Sequence, residues 1–123
     1  MIAHVVLFEP LGDFDDATRD VLVDTIARAT REIQGIRRFR VGPRITHGLP
    51  GYEKTMTVGY GYAAIVEFDD VDGLAEYLRH PAHAALGQFF TTGVSRALAY
   101  DFELVDADEF LRPQPSGSAN RLR

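Results

Sequence analysis

The sequence predicts an α+β fold: one antiparallel sheet of four strands with its helices on a single face. Three observations carry that expectation. Residues 2–8, 36–45, 60–68 and 96–104 are short runs rich in apolar, β-branched and aromatic side chains, as strands are. Residues 17–34 and 70–90 instead repeat apolar side chains at helical spacing, the second segment being interrupted by Pro81. The order along the chain is therefore β-α-β-β-α-β.

The first strand is ended by Pro10 and Gly12. One of its faces carries Ile2, His4, Val6 and Phe8, the other Ala3, Val5 and Leu7; with only His4 polar, both sides should be covered. Asp13, Asp15 and Asp16 offer caps and dipole-compatible charge for a helix over 17–34. In it Leu22, Ile26, Ala29 and Ile33 form one buried stripe, while Arg19, Arg28, Arg31 and Glu32 face solvent. Gly35 suits the position just past its end. The second strand sets Phe39 and Val41 against Arg38 and Arg40, and residues 46–58, with Gly48, Pro50 and Gly51, read as a long loop. The third strand gathers Tyr60, Tyr62, Ala64, Val66 and Phe68 on one face. Asp69 or Asp70 caps the next helix, whose Val71, Leu74, Ala75 and Leu78 form the inward set.

Pro81 must end that helix, because it lacks an N–H and pushes His80 toward extended geometry. It also suits the first position of a new helix, in which His83, Leu86, Gly87 and Phe90 fall on one stripe. The last strand places Leu98, Tyr100, Phe102 and Leu104 on one face and Ala97, Ala99, Asp101 and Glu103 on the other. From Asp106 onward, Pro113, Pro115, Ser116, Gly117 and Ser118 mark a tail expected to lack fixed structure, so the domain should span 1–105. The whole is a ferredoxin-like arrangement, and right-handed crossovers set both helical segments on one face of the sheet. The other face is apolar yet bare in a single copy. Two sheets packed face to face are expected: a homodimer through the open sheet face, forming a dimeric α/β barrel.

Composition narrows the function. At 123 residues the chain is one domain, and a net charge of −5 speaks against a nucleic-acid partner. The absence of cysteine excludes disulfides and thiolate metal sites. Neither a leader-like N-terminus nor a run of about 20 apolar residues is present, so a cytoplasmic protein without membrane contact is expected. No glycine-rich phosphate loop or nucleophile elbow occurs.

The chemistry concentrates in Tyr77-Leu78-Arg79-His80-Pro81-Ala82-His83, a phenol and two imidazoles around a helix junction. His83 falls in the first turn of the second helix, where unpaired N–H groups and the positive dipole end disfavour the imidazolium. A neutral imidazole at pH 7 is a usable base. His80, before the proline, should shape or cap the junction. His80 and His83 also form an H-x-x-H pair that, with His4 or Asp101, would make a metal site; its spacing is common and spans the break, so neither metal nor cofactor is expected.

Four stretches, His4-Val5-Val6-Leu7-Phe8, Ala64-Ile65-Val66-Glu67-Phe68, the junction itself and Tyr100-Asp101-Phe102, together resemble the stress-responsive dimeric alpha-beta barrel (Dabb) family over residues 1–105. The resemblance implies the same dimeric ferredoxin-like fold. Through a plant polyketide cyclase of that family it also implies a cofactor-free cyclisation in a pocket between sheet and helices of each subunit. Carried over by position, His83 is the acid/base residue and Tyr77 its phenolic partner. His4, Val6, Phe8, Phe39, Tyr62 and Ala64 line the pocket, and Asp101 is an orienting carboxylate. The chain departs from the cyclase in its longer 46–58 loop and in Tyr62, which replaces a histidine. The expected function is small-molecule binding with acid/base catalysis. The alternatives are a non-catalytic stress-response dimer and a cofactorless monooxygenase.

Overall fold

The computed structural model describes residues 1–12 and 14–112. Strand β1 (Ile2–Pro10) leads into helix α1 (Asp16–Glu32) and strand β2 (Ile36–Pro43). A loop holding the one-turn helix α2 (Tyr52–Thr55) precedes strand β3 (Tyr62–Phe68). Helices α3 (Val71–Arg79) and α4 (Pro81–Thr92) then lead to strand β4 (Val94–Glu103) and the short helix α5 (Ala107–Leu111). Of the expected tail, only residues up to Arg112 are described; Pro113 onward, like the candidate cap Asp13, lies outside the described residues.

The sheet has the order β2-β3-β1-β4, antiparallel throughout, with β1 in the middle. This is the ferredoxin-like α+β fold. The expected barrel is not present: the sheet is open, with β2 and β4 as free edges. Four strands, each turned about 20–25° from the next, do not bring the two edges together. Closure generally takes about eight.

The helix-facing side of the sheet builds the core. Ile2, Val6 and Phe8 of β1 pack with Ala64, Val66 and Phe68 of β3 against Leu22, Ala29 and Ile33 and against Leu74, Tyr77 and Leu86. Asp15 starts α1 by accepting from the Thr18 N–H at 2.8 Å, and the α1 stripe is the expected one. Helix α3 differs from expectation. Its buried residues are Leu74 and Tyr77, whereas Val71 and Leu78 are exposed. Gly73 is the cause: it lies against the Phe68 side chain, and a Cβ on Gly35 would meet its Cα at 3.3 Å. That close backbone approach turns Gly73, Leu74 and Tyr77 inward.

On the opposite side Ala3 is buried, but Leu98, Tyr100 and Phe102 are 38%, 59% and 50% exposed. The expectation that both faces of β1 are covered therefore holds only for the helix side of a single chain. At the surface, Arg37 pairs with Asp69 and Arg40 with Glu67 at 3.0 Å. No helix among the described residues is long and apolar enough to cross a membrane.

Candidate functional site

The α3–α4 junction follows from its sequence. His80 has extended backbone angles (φ −73°, ψ 141°) ahead of Pro81 and serves as the last residue of one helix and the cap of the next. Its Nδ1 accepts from the Ala82 N–H at 3.0 Å, and its carbonyl accepts from the His83 N–H at 3.0 Å. His80 is thus occupied in shaping the corner. His83 enters the first turn of α4 on the face that looks back at the sheet, and Tyr77 comes from the last turn of α3.

Between helices and sheet lies an apolar cavity of about 270 Å³. His4, Val6 and Phe8 from β1, Phe39 from β2, Ala64 from β3, and Tyr77 and His83 from the helices all line it. Ala97 and Ala99 of β4 leave room on its floor. Tyr77 is the hub. Its ring lies 4.6 Å from that of His83 and 5.7 Å from that of His4, centroid to centroid, both edge-on, with Phe39 and Phe68 beside it. The Tyr77 hydroxyl has no hydrogen-bond partner among the described residues, yet no buried polar side-chain atom among them is left unsatisfied. The hydroxyl therefore keeps access to the cavity.

The electrostatics separate the two groups. Burial pushes the Tyr77 phenol well above its ordinary value, so it stays protonated and can donate. His83 is held below the ordinary imidazole value, first by burial and then by the charge His4 carries when protonated; the Leu78 carbonyl opposes this. His83 is therefore the neutral imidazole expected of a base near pH 7.

Two predicted residues stand elsewhere. Asp101 does not orient His83: its Oδ1 accepts from His4 Nδ1 at 2.6 Å. The antiparallel register sets His4 directly opposite Asp101, a fact no linear pattern contains. With Nδ1 engaged by the carboxylate, Nε2 is the ring nitrogen of His4 left to meet a ligand. Tyr62 does not line the 270 Å³ cavity; it stacks on Phe8 at 5.5 Å and borders an adjoining one. Sequence reasoning placed Leu22 and Ile26 of α1 in the core, where they also wall the cavity. Their helical stripe gives burial but not what lies in front of it.

A larger hollow of about 510 Å³ sits on the bare sheet face, between Leu7, Ala63 and Tyr60 and the loop residues Met56 and Val58. Among the described residues lining it there is no histidine or carboxylate, so the smaller cavity, with its convergent polar groups, is the candidate chemical site. Among the described residues no group of three histidines or carboxylates is placed to hold a metal ion.

An open ferredoxin-like sheet with an apolar, histidine-edged cavity under its helices defines the class. Residues 2–104 match the Dabb family, the stress responsive A/B barrel domain, and the chain belongs to that family. It is 20% identical over 101 residues to olivetolic acid cyclase of Cannabis sativa, covering 82% of this chain and 94% of the cyclase. Its fold is similar to that of hydroxynitrile lyase from Passiflora edulis, with a TM-score of 0.73 at 9% identity over 86% of this chain and 94% of the lyase. It also resembles a dimeric ferredoxin-like protein of unknown function from Jannaschia sp., with a TM-score of 0.62 at 26% identity over 84% and 98% of the two chains. The fold is thus related to that of enzymes, a cyclase and a lyase, and to that of dimeric proteins.

Proposed function

We propose that this protein binds a small, oxo-rich, partly apolar molecule in the cavity under its helices and moves a proton on it. The observation that carries the reading is the position of Tyr77 between two imidazoles on an otherwise apolar wall. At about 270 Å³ the cavity falls just below the span of about 300–1,000 Å³ usual for ligand sites, so the bound group is small. His83 takes a proton from a carbon flanked by carbonyls, and the Tyr77 hydroxyl donates to the oxygen of the resulting enolate. His83, then protonated, returns the proton to product or leaving group. General-base catalysis of this kind gives about 10²–10⁴-fold, sufficient for an already acidic carbon. Asp101 holds His4 with its second ring nitrogen turned to hydrogen-bond the substrate. The names of the cyclase and lyase relatives support an enzyme with acid/base chemistry.

The test is deuterium exchange into the acidic carbon of small β-diketones and β-ketoesters, followed by NMR. Wild-type protein should accelerate exchange, His83→Ala should abolish the acceleration, and Tyr77→Phe should lower it about tenfold or more, as for loss of one oxyanion donor. A His83→Ala variant as active as wild type would remove the reading.

We further propose that two copies associate through the bare sheet face. The exposed Leu98, Tyr100 and Phe102, continuous with half-buried Val5, Leu7 and Ile65, form the kind of patch that monomers rarely leave open. The similarity to dimeric ferredoxin-like proteins supports this.

A further inference from the structure

The cavity extends to α1 and the end of β2. Leu22, Ile26 and Val41 line it, and the same three residues line a second cavity of about 300 Å³, so the two meet along one wall. The second reaches the surface between α1 and the end of β2, where Phe14, Tyr62, Val23 and Pro43 border it. Val41 points to the helix side of the sheet, as Phe39 does, yet is 42% exposed: α1 does not cover the end of β2. Joined past these side chains, the two would make a slot leading from solvent to Tyr77 and His83.

Arg19 stands at its mouth. Among the described residues lining either cavity, it alone bears a permanent charge. Its one ion pair among the described residues is slack: Asp16 lies 3.9 Å away, both side chains are largely in solvent, and exposed pairs of that kind hold weakly. The guanidinium fork is free to turn onto a ligand, and planar bidentate recognition of carboxylate is what it does best. We infer that the slot selects amphipathic carboxylates. Their apolar body fills the wall shared by Leu22, Ile26 and Val41, the reacting end lies by Tyr77 and His83, and the terminal carboxylate sits on Arg19. This names the substrate class of the proposed site and rests on the reading that the cavity binds a small molecule.

Calorimetry on the full chain tests it with straight-chain carboxylates from butanoate to octanoate and the matching primary alcohols, while shifts of the His83 ring protons report cavity occupancy. Carboxylates should bind more tightly than the alcohols of equal length, and both should shift the His83 signals. Arg19→Gln, on an exposed helix surface, should weaken the carboxylates about tenfold and leave the alcohols unchanged. Val41→Trp, filling the slot at its exposed lip, should weaken both classes. The inference is overturned if Arg19→Gln binds carboxylates as well as wild type, if the two classes bind alike, or if neither binds. Alcohols that bind and shift His83 without any preference for carboxylates would remove the role of Arg19 and leave the proton-transfer reading standing. Loss of that reading is registered separately, by the exchange activity of His83→Ala.

Discussion

His83 is the residue whose surroundings matter most. Its folded-state pKa is depressed, so the folded protein favours the neutral ring while the unfolded chain titrates near the ordinary value of 6.5. The unfolded state therefore binds the proton first as pH falls, and stability drops. The contribution is complete above about 6.5 and is lost as pH falls from there toward the folded-state value. Thermal melts of wild type and His83→Gln between about pH 7.5 and 5 check this: the wild type should lose stability more steeply on acidification. Parallel curves would show that the ring is not held neutral by the fold. Asp101 supports the opposite wall, and its 2.6 Å contact with His4 shows how a single carboxylate can be assigned to the wrong imidazole when only spacing is known.

At the level of elements, the α4–β4 corner depends on a residue without a side chain. Gly93 closes α4, its N–H donating to the Phe89 carbonyl at 2.7 Å, and an added Cβ would lie 2.8 Å from the Phe89 ring and 2.9 Å from that carbonyl. The carbonyl cannot move away without opening the corner. Gly93→Ala should cost about 1–3 kcal/mol, as overpacking does, read as a lowered denaturant midpoint at unchanged slope. An unchanged midpoint would mean that the corner yields freely. Much of this architecture was legible in the sequence, because the strand runs, the α1 stripe and the Pro81 break are each set by local spacing. The face of α3 was not, since Val71 and Leu78 satisfy a helical pattern that the Gly35–Gly73 contact overrides. His4, Tyr77 and His83 were legible as candidates, but the slot between α1 and β2 was not. It depends on where a helix stops covering a strand, and periodicity carries no such information.

For the molecule as a whole, the open sheet sets the terms. Its apolar side was legible, but the barrel expected from it is not a property of this chain, whose four strands end in two free edges. A face carrying Leu98, Tyr100 and Phe102 should bury on the order of 1,000 Å² or more in a stable pair of copies. Tyr100→Glu would set two like charges near each other across that contact and should shift sedimentation from dimer to monomer, whereas an unshifted dimer would locate the interface elsewhere. The cavity lies on the other side of the sheet, within one chain, so the proposed chemistry belongs to each copy. The most direct measurement records the His83 titration by NMR and the rate of deuterium exchange in the same samples across pH. Exchange should fall with acid along the curve on which the His83 ring takes up its proton; a rate that ignores the state of that ring would contradict the account.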